Sequence, residues 1–459
     1  MLKKSPDALV IISLVLILFT ILTWIIPAGE YAREVVDGRT VVMAGTYETV
    51  EASPQGLGDL LVSPIKGFVG AAHIIAFVIL VGGSFSILTA TGALDAGLGS
   101  VLKYAERNPT SKHFVVPILM VIFSLAGCTF GMSEENLVFI LITIPLARSM
   151  GYDNLVGVAI PFLGSAAGFA GAAINPFTVG IAQGIAELPI GSGAGYRWVV
   201  WAIFTVIAII FVMLYIRKLE RHPEKKLVTD DDQNSYQTEA PPVLDLPRKL
   251  VLILFVLAIV LLMVGANEFG WYIDEISALF IALGLLSAVV TRMGVTKTVS
   301  SFTEGAKDML TAAIIIGVSR AVLVVAEDGK IIDTVLYAMA NGVEDLPDTI
   351  SVQMMFFVQG ALNIFIPSGS GQAAITMPIM TPLADILGIA RQSAVLAFQF
   401  GDGLLNVIIP TSGVTMGILS IAKIPYNVWL KWVWKLILVF TLFSMLFLAL
   451  PQYLDVWPS

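Results

Sequence analysis

Long apolar runs, separated by short polar or glycine-rich interruptions, set the organisation of this chain. Leu250–Met263, Leu279–Val290, Val200–Ile216 and Val439–Leu450 carry no charge, and runs of this kind read as parts of bilayer-spanning helices. Extended to their polar flanks, they predict nine crossings, at roughly 8–27, 67–92, 154–187, 197–217, 250–266, 272–291, 308–326, 392–421 and 427–450. Two more apolar pairs, 114–150 and 351–388, fold around a polar tip on arms too short to cross twice. They predict re-entrant hairpins, which a bilayer tolerates where the tip is buried in protein or lines a cavity. Gly, Asn and Pro interrupt the crossings 154–187 and 392–421, which are therefore predicted as broken helices. The run from Ala8 to Pro27 is longer than the roughly 7–15 residues of a signal core and reads as a retained first span.

The interrupted pattern occurs twice. Residues 133–181, shifted by 237 positions, fall on 370–418 with eleven identities in 49 pairs, among them Ser133/Ser370, Pro145/Pro382, Gly151/Gly388, Gly164/Gly401 and Thr178/Thr415. The chain divides into an N-terminal repeat 1–217, a linker 218–247 and a C-terminal repeat 248–459. Four crossings precede the linker and one unpaired helix, 250–266, follows it. The second copy then starts on the opposite side of the membrane, which predicts inverted repeats. Paired interrupted segments in two halves point to a secondary transporter and to its binding site.

Composition narrows the class further. The chain is 57% hydrophobic and 13% charged, with mean hydropathy +0.88, against about 25% charged residues in soluble proteins. The formal net charge of −8 is spread over loops and points to no nucleic-acid partner. One cysteine and three scattered histidines supply neither a disulfide framework nor a metal-spacing motif. Without a nucleophile–base pair the chain reads as no enzyme. Lys3 and Lys4, Lys103, Arg107 and Lys112, and the basic cluster Arg217–Lys226 lie on one side of the predicted crossings. Glu30, Glu34, Asp37, Glu48, Glu51, Glu344, Asp345 and Asp348 lie on the other. The positive-inside bias places the N-terminus and the linker in the cytoplasm and the C-terminus outside. The acidic stretch Asp333–Asp348 is expected along the outer interface.

Candidate chemistry concentrates at the tips and breaks. The first tip, Gly127-Cys-Thr-Phe-Gly-Met-Ser-Glu-Glu-Asn136, offers Ser133, Glu134, Glu135 and Asn136. A charge at the bilayer centre costs about 2.5–3.5 kcal/mol on the milder scales, so adjacent glutamates there imply water, a cation or a function. The second tip, Ile366-Pro-Ser-Gly-Ser-Gly-Gln-Ala373, offers Ser368, Ser370 and Gln372, with glycines that let backbone N–H groups approach a ligand. In the breaks, Asn175, Thr178, Asn406, Thr411 and Ser412 are candidate ligands, and Asp402 is the leading functional carboxylate. Small residues at 164–173 also suit close helix packing. Arg320 is expected to snorkel or to pair with a carboxylate. Each tip also has a plain reading as a solvated turn, and Asp402 as a capping residue.

The tips GMSEEN and PSGSGQ, the breaks INP and IPTSG, and the segment GGSFSILTATGALD echoed by GVSRAVLVVAEDGKIID resemble the YfcC-like branch of the C4-dicarboxylate carrier-like families, in the ion transporter superfamily. The resemblance implies an all-α, inverted-repeat transporter of the bacterial inner membrane, with an elevator-type transport domain and a homodimeric scaffold. It also implies Na+ or H+ as a coupling ion, with sodium near Ser133, Asn175, Ser370 and Ser412. Basic amino acid exchange and dicarboxylate transport both occur in such families. No basic residue lies in either tip or break, which favours a cationic amino acid of the arginine/ornithine type. Glu134, Glu135 and Asp402 would then attract its cationic group. The alternative is a sodium- or proton-coupled C4-dicarboxylate carrier.

Overall fold

Side-chain caps and glycines decide where the helices start and stop. The computed structural model describes residues 8–36, 39–97, 100, 109–228, 242–269, 271, 273–341, 348–454 and 456–457. The chain is mostly helical. Among the described residues, strands are confined to two short antiparallel pairs, Gly29–Glu30 with Glu48–Thr49 and Arg33–Val36 with Arg39–Val42. Lys3, Lys4, Asp37, Lys103, Arg107, Glu344, Asp345 and the middle of the linker lie outside the described residues.

One order of helices recurs. The first half has Ala8–Ile25, Leu57–Gly70, Ala72–Ala90, a hairpin (Pro109–Phe130, Asn136–Ser149), a broken helix (Asn154–Ala170, a widened turn Pro176–Gly180, Ile181–Ile185) and Ala194–Arg221. After Leu246–Glu268 the second half has Ile273–Val290, Val295–Asp308, Leu310–Asp328 and Ile332–Asn341. A hairpin (Asp348–Phe365, Gly369–Ile386), a broken helix (Arg391–Leu405, Gly413–Ile421) and Tyr426–Ala449 complete it. Among the described residues, five helices are long and apolar enough to cross a bilayer: Ala72–Ala90, Ala194–Arg221, Ile273–Val290, Leu310–Asp328 and Tyr426–Gln452. Leu14, Ile210, Leu214, Val256 and Leu442 point outward, each more than half exposed, a surface suited to lipid rather than water. This is a multi-pass membrane protein.

The two proline-marked breaks have the same cause. Proline clashes with the carbonyl four residues before it, and for Pro176 and Pro410 those carbonyls belong to Ala172 and Asn406, just beyond the last helical residues Ala170 and Leu405. The chain restarts on a side-chain cap at the same repeat position. Asn175 Oδ1 accepts the Phe177 N–H at 2.9 Å, and Ser412 Oγ accepts the Thr415 N–H at 3.3 Å. Gly151 and Gly388, also repeat partners, turn the hairpins into the broken helices with φ of +87° and +66°, a conformation that favours glycine.

In each half both hairpin arms pack on the first segment of the broken helix. Small residues make this close in the first half. A Cβ on Gly168 would lie 1.8 Å from the Ser124 carbonyl oxygen, and one on Gly127 2.1 Å from that of Ser165. Ala194–Arg221 and Tyr426–Ala449 pack on this body of hairpins and broken helices too, whereas Leu57–Gly70 packs on Leu310–Asp328, and Val295–Asp308 and Ile273–Val290 on Ala72–Ala90, forming a second body. The bodies meet where Leu310–Asp328 lies against Gly413–Ile421.

Three features differ from expectation. Leu57–Gly70 is a separate helix ahead of Ala72, and the polar stretch Val295–Asp308 is helical. Asp333, placed by sequence along the outer interface, is 3% exposed. Its carboxylate receives the Tyr31 N–H and the Arg33 guanidinium, both at 2.9 Å, and pins the N-terminal strands to Ile332–Asn341. Burial, then the Asp333 charge, pushes the Tyr31 phenol up to about 12.

Candidate functional site

Each hairpin tip is seated on a break through a glycine. A Cβ on Gly131 would lie 2.6 Å from Asn175 Nδ2, and Gly131 itself turns with φ +74°. A Cβ on Gly369 would lie 2.5 Å from Thr178 Cγ2 and 2.8 Å from Asp402 Oδ2. The second tip thus rests on the break of the first half as well as on its own, and Thr178 ties the two copies together.

Between the tips lies a cavity of about 200 Å³, smaller than the roughly 300–1,000 Å³ of drug-sized sites. Ser133 and Glu134 line it from the first tip, and Ser368, Gly369 and Ser370 from the second. Thr178 lines it from one break, and Asn406, Thr411 and Ser412 from the other. The remaining wall is Ser319 and Arg320 of Leu310–Asp328, beside the Gly70–Ala71 junction. The cavity therefore sits on the seam between the two bodies.

Arg320, expected to snorkel or to pair with a carboxylate, lines this cavity, and its charge also acts on Glu327 of the same helix. It arrives there through close helix packing: a Cβ on Gly67 would lie 2.3 Å from the Gly317 carbonyl oxygen, and one on Gly70 3.3 Å from Arg320 Nε. Several lining atoms are buried without a hydrogen-bond partner among the described residues: Thr178 Oγ1, Ser319 Oγ, Arg320 Nε, Asn406 Oδ1 and Thr411 Oγ1. Buried polar groups are nearly always paired, so these atoms are open to polar partners, water or solute, that enter the cavity.

The other candidates stand one layer behind. Glu135 is 5% exposed and turns its carboxylate onto the Ser133 N–H at 3.0 Å. Asn136 donates to the Ser133 carbonyl and to Ser165 Oγ, at 2.9 and 2.8 Å. Asn175 spends its oxygen on its cap. Gln372 donates to the Gln359 backbone and side-chain oxygens, both at 2.8 Å, and accepts from Asn363 at 3.1 Å. Asp402 is fully buried, with Oδ1 accepting from Asn363 and Asn406 at 2.7 and 3.0 Å. Among the described residues, no group of three or more His, Cys, Asp or Glu side chains is placed to hold a metal ion.

Comparison with known proteins places the chain. The profile of the family described as DcuC, C4-dicarboxylate anaerobic carrier, matches residues 5–453. The protein named "Putative basic amino acid antiporter YfcC" of Escherichia coli is 34% identical over 472 aligned positions, covering 93% of this chain and 92% of that protein. A protein of Haemophilus influenzae is 30% identical over 481 positions, covering 94% of each. Among solved structures, the Alcanivorax borkumensis YdaH transporter aligns over 99% of this chain and 100% of that chain, with 16% identity and a TM-score of 0.44.

Proposed function

The chain belongs to the C4-dicarboxylate anaerobic carrier family and is a transporter rather than an enzyme, and on that footing we propose that it exchanges a basic amino acid of the arginine/ornithine type. The observation that carries this reading is that Arg320 and Glu134, of opposite charge, line one cavity together with buried, unpaired hydroxyl and amide oxygens. Arg320, Ser368, Ser370 and the N–H groups of the second tip hold the α-carboxylate. Glu134 faces the cationic end, with Ser133 beside it. Thr178, Asn406, Thr411 and Ser412 complete the contacts, while Glu135, Asn136, Asn175 and Gln372 hold the tips in shape. The likeness to YfcC supports an amino-acid cargo.

The two halves act as inverted repeats in the inner membrane, with the N-terminus and linker cytoplasmic and the C-terminus outside. The body of hairpins and broken helices slides against the second body, which forms the scaffold of a homodimer. A cavity on the seam between the bodies supports such an elevator, because sliding carries the cargo past one fixed wall that includes Arg320. A second reading, a C4-dicarboxylate carrier, is favoured by the same Arg320, since a guanidinium neutralises one carboxylate. Counterflow in proteoliposomes separates the two. Internal ornithine should drive saturable uptake of labelled arginine; uptake driven by succinate and untouched by any amino acid would overturn the first reading.

A further inference from the structure

The two long helices that close the halves pack side by side. Ala194–Arg221 and Tyr426–Ala449 run antiparallel: Tyr196 meets Phe447 near the start of one and the finish of the other. At the opposite end Phe211 and Tyr215 pack on Trp432, with ring centres 4.8 and 5.3 Å apart. Each helix also turns an apolar stripe outward. Val206, Ile210 and Leu214 on the first, and Trp434, Leu438 and Leu442 on the second, are 48–58% exposed.

At the Trp432 end this outward surface turns basic. Arg217, Lys218 and Arg221 continue the face of Leu214, Lys431 precedes Trp434 by a turn and Lys435 follows it; all five cations are exposed. The acids of the same stretch are engaged elsewhere. Glu220 accepts from Tyr152 Oη at 2.9 Å and faces His113 at 3.8 Å, and Glu224 faces His222 at 3.2 Å. Lys225 and Lys226, further on, act on Glu224 and Asp153. The five outward cations take part in no ion pair among the described residues. Helix geometry gathers four of them. At about 100° per residue, Lys218 and Arg221 counted from Tyr215, and Lys431 and Lys435 counted from Trp432, all fall about 60–120° behind the contact. Because the helices are antiparallel, that carries all four to the same flank of the groove between them.

We propose that this groove holds the headgroup of an anionic phospholipid, its phosphate among Lys218, Arg221, Lys431 and Lys435 and its acyl chains along the apolar stripes beside them. The helix dipole accounts for Lys218 and Arg221, which sit in the last turn of Ala194–Arg221. It does not account for Lys431 and Lys435, which lie toward the positive end of their helix. Like charges on one flank repel one another, and an anion among them removes that cost. Basic pockets between membrane helices take such headgroups, and the exposed Trp434 ring suits the headgroup level. Both helices pack on the hairpins and broken helices. The lipid therefore tethers that body, and not the one that carries Arg320, to one leaflet.

The test titrates delipidated, detergent-purified full-length protein with phosphatidylglycerol in mixed micelles. Its unfolding temperature should rise saturably, with phosphatidylcholine, inorganic phosphate and glycerol 3-phosphate inactive. Lys218→Gln with Arg221→Gln, and Lys431→Gln with Lys435→Gln, should each raise the half-saturating lipid concentration at least tenfold. Lys297→Gln with Lys307→Gln, an equal loss of exposed charge on another helix, should leave it unchanged. If one groove pair fails to fold, the other decides. A wild-type protein that answers phosphatidylcholine or the soluble phosphates as strongly, or answers none of them, would overturn the proposal. So would groove variants with the wild-type response, or a control pair as damaging as they are. Failed arginine counterflow with an intact lipid response would overturn the cargo reading and leave this one standing.

Discussion

Positions 165 and 402 occupy the same place in the two copies, and their chemistry has parted completely. Ser165 is settled: Asn136 donates to its Oγ at 2.8 Å, and the hydroxyl donates to the Phe162 carbonyl at 3.2 Å. Asp402 is equally buried but carries a carboxylate with one oxygen unmatched. Around both, the frame is shared, down to the paired caps Asn175 and Ser412 and the paired turns Gly151 and Gly388. A second divergence follows the same logic. In the echoed segments Gly82-Gly-Ser-Phe85 and Gly317-Val-Ser-Arg320, Phe85 packs against Phe280 and Phe255, whereas Arg320 lines the cavity. The two copies thus share residues that shape the backbone and differ at residues beside the cavity. Charge specialised unevenly, with Glu134 in one half and Asp402 and Arg320 in the other.

The contrast can be broken from either side. Asp402→Ser, which gives the second copy the residue of the first, should cut counterflow at least a hundredfold. The reverse change, Ser165→Asp, buries a carboxylate against the Asn136 amide, in a site that is hydrogen-bonded as it stands. It should destabilise the protein by about 2.5–3.5 kcal/mol, the cost of an intramembrane charge, read as a fall in unfolding temperature. Arg320→Gln should raise the KM for arginine by roughly ten- to a hundredfold, since a hydrogen bond to a charged group contributes about 1.5–3 kcal/mol, with Arg320→Lys intermediate. Smallest of all, Asn175→Ala and Ser412→Ala should cost about 1 kcal/mol each, as lost caps do. A clearly unequal pair would mean that the shared frame is not used alike.

Local chemistry was legible in the sequence, and distant packing was not. Pro176 and Pro410 act on the turn just before them, so the breaks could be read from the residues themselves. Leu57–Gly70 was hidden by Pro64 and by its glycines, and Val295–Asp308 by a polarity that reads as loop. Arg320 was undervalued because its place depends on Gly67 and Gly317 letting two helices approach, a fact about partners far apart in the chain. Glu135 and Gln372 read like Glu134 and Ser370, their neighbours at the tips. A single turn of backbone sends them inward, onto the Ser133 N–H and onto Gln359.

The lone cysteine offers a clock. Cys128 is wholly enclosed, and its Sγ accepts the Ala173 N–H at 3.3 Å, across the joint between the first hairpin and the first break. A maleimide reaches it only when that joint parts, so labelling of the unaltered protein counts such partings without any engineered residue. Modification that speeds up under turnover would mean the hairpin lifts as a gate; modification indifferent to turnover would mean the joint stays shut while the whole body travels.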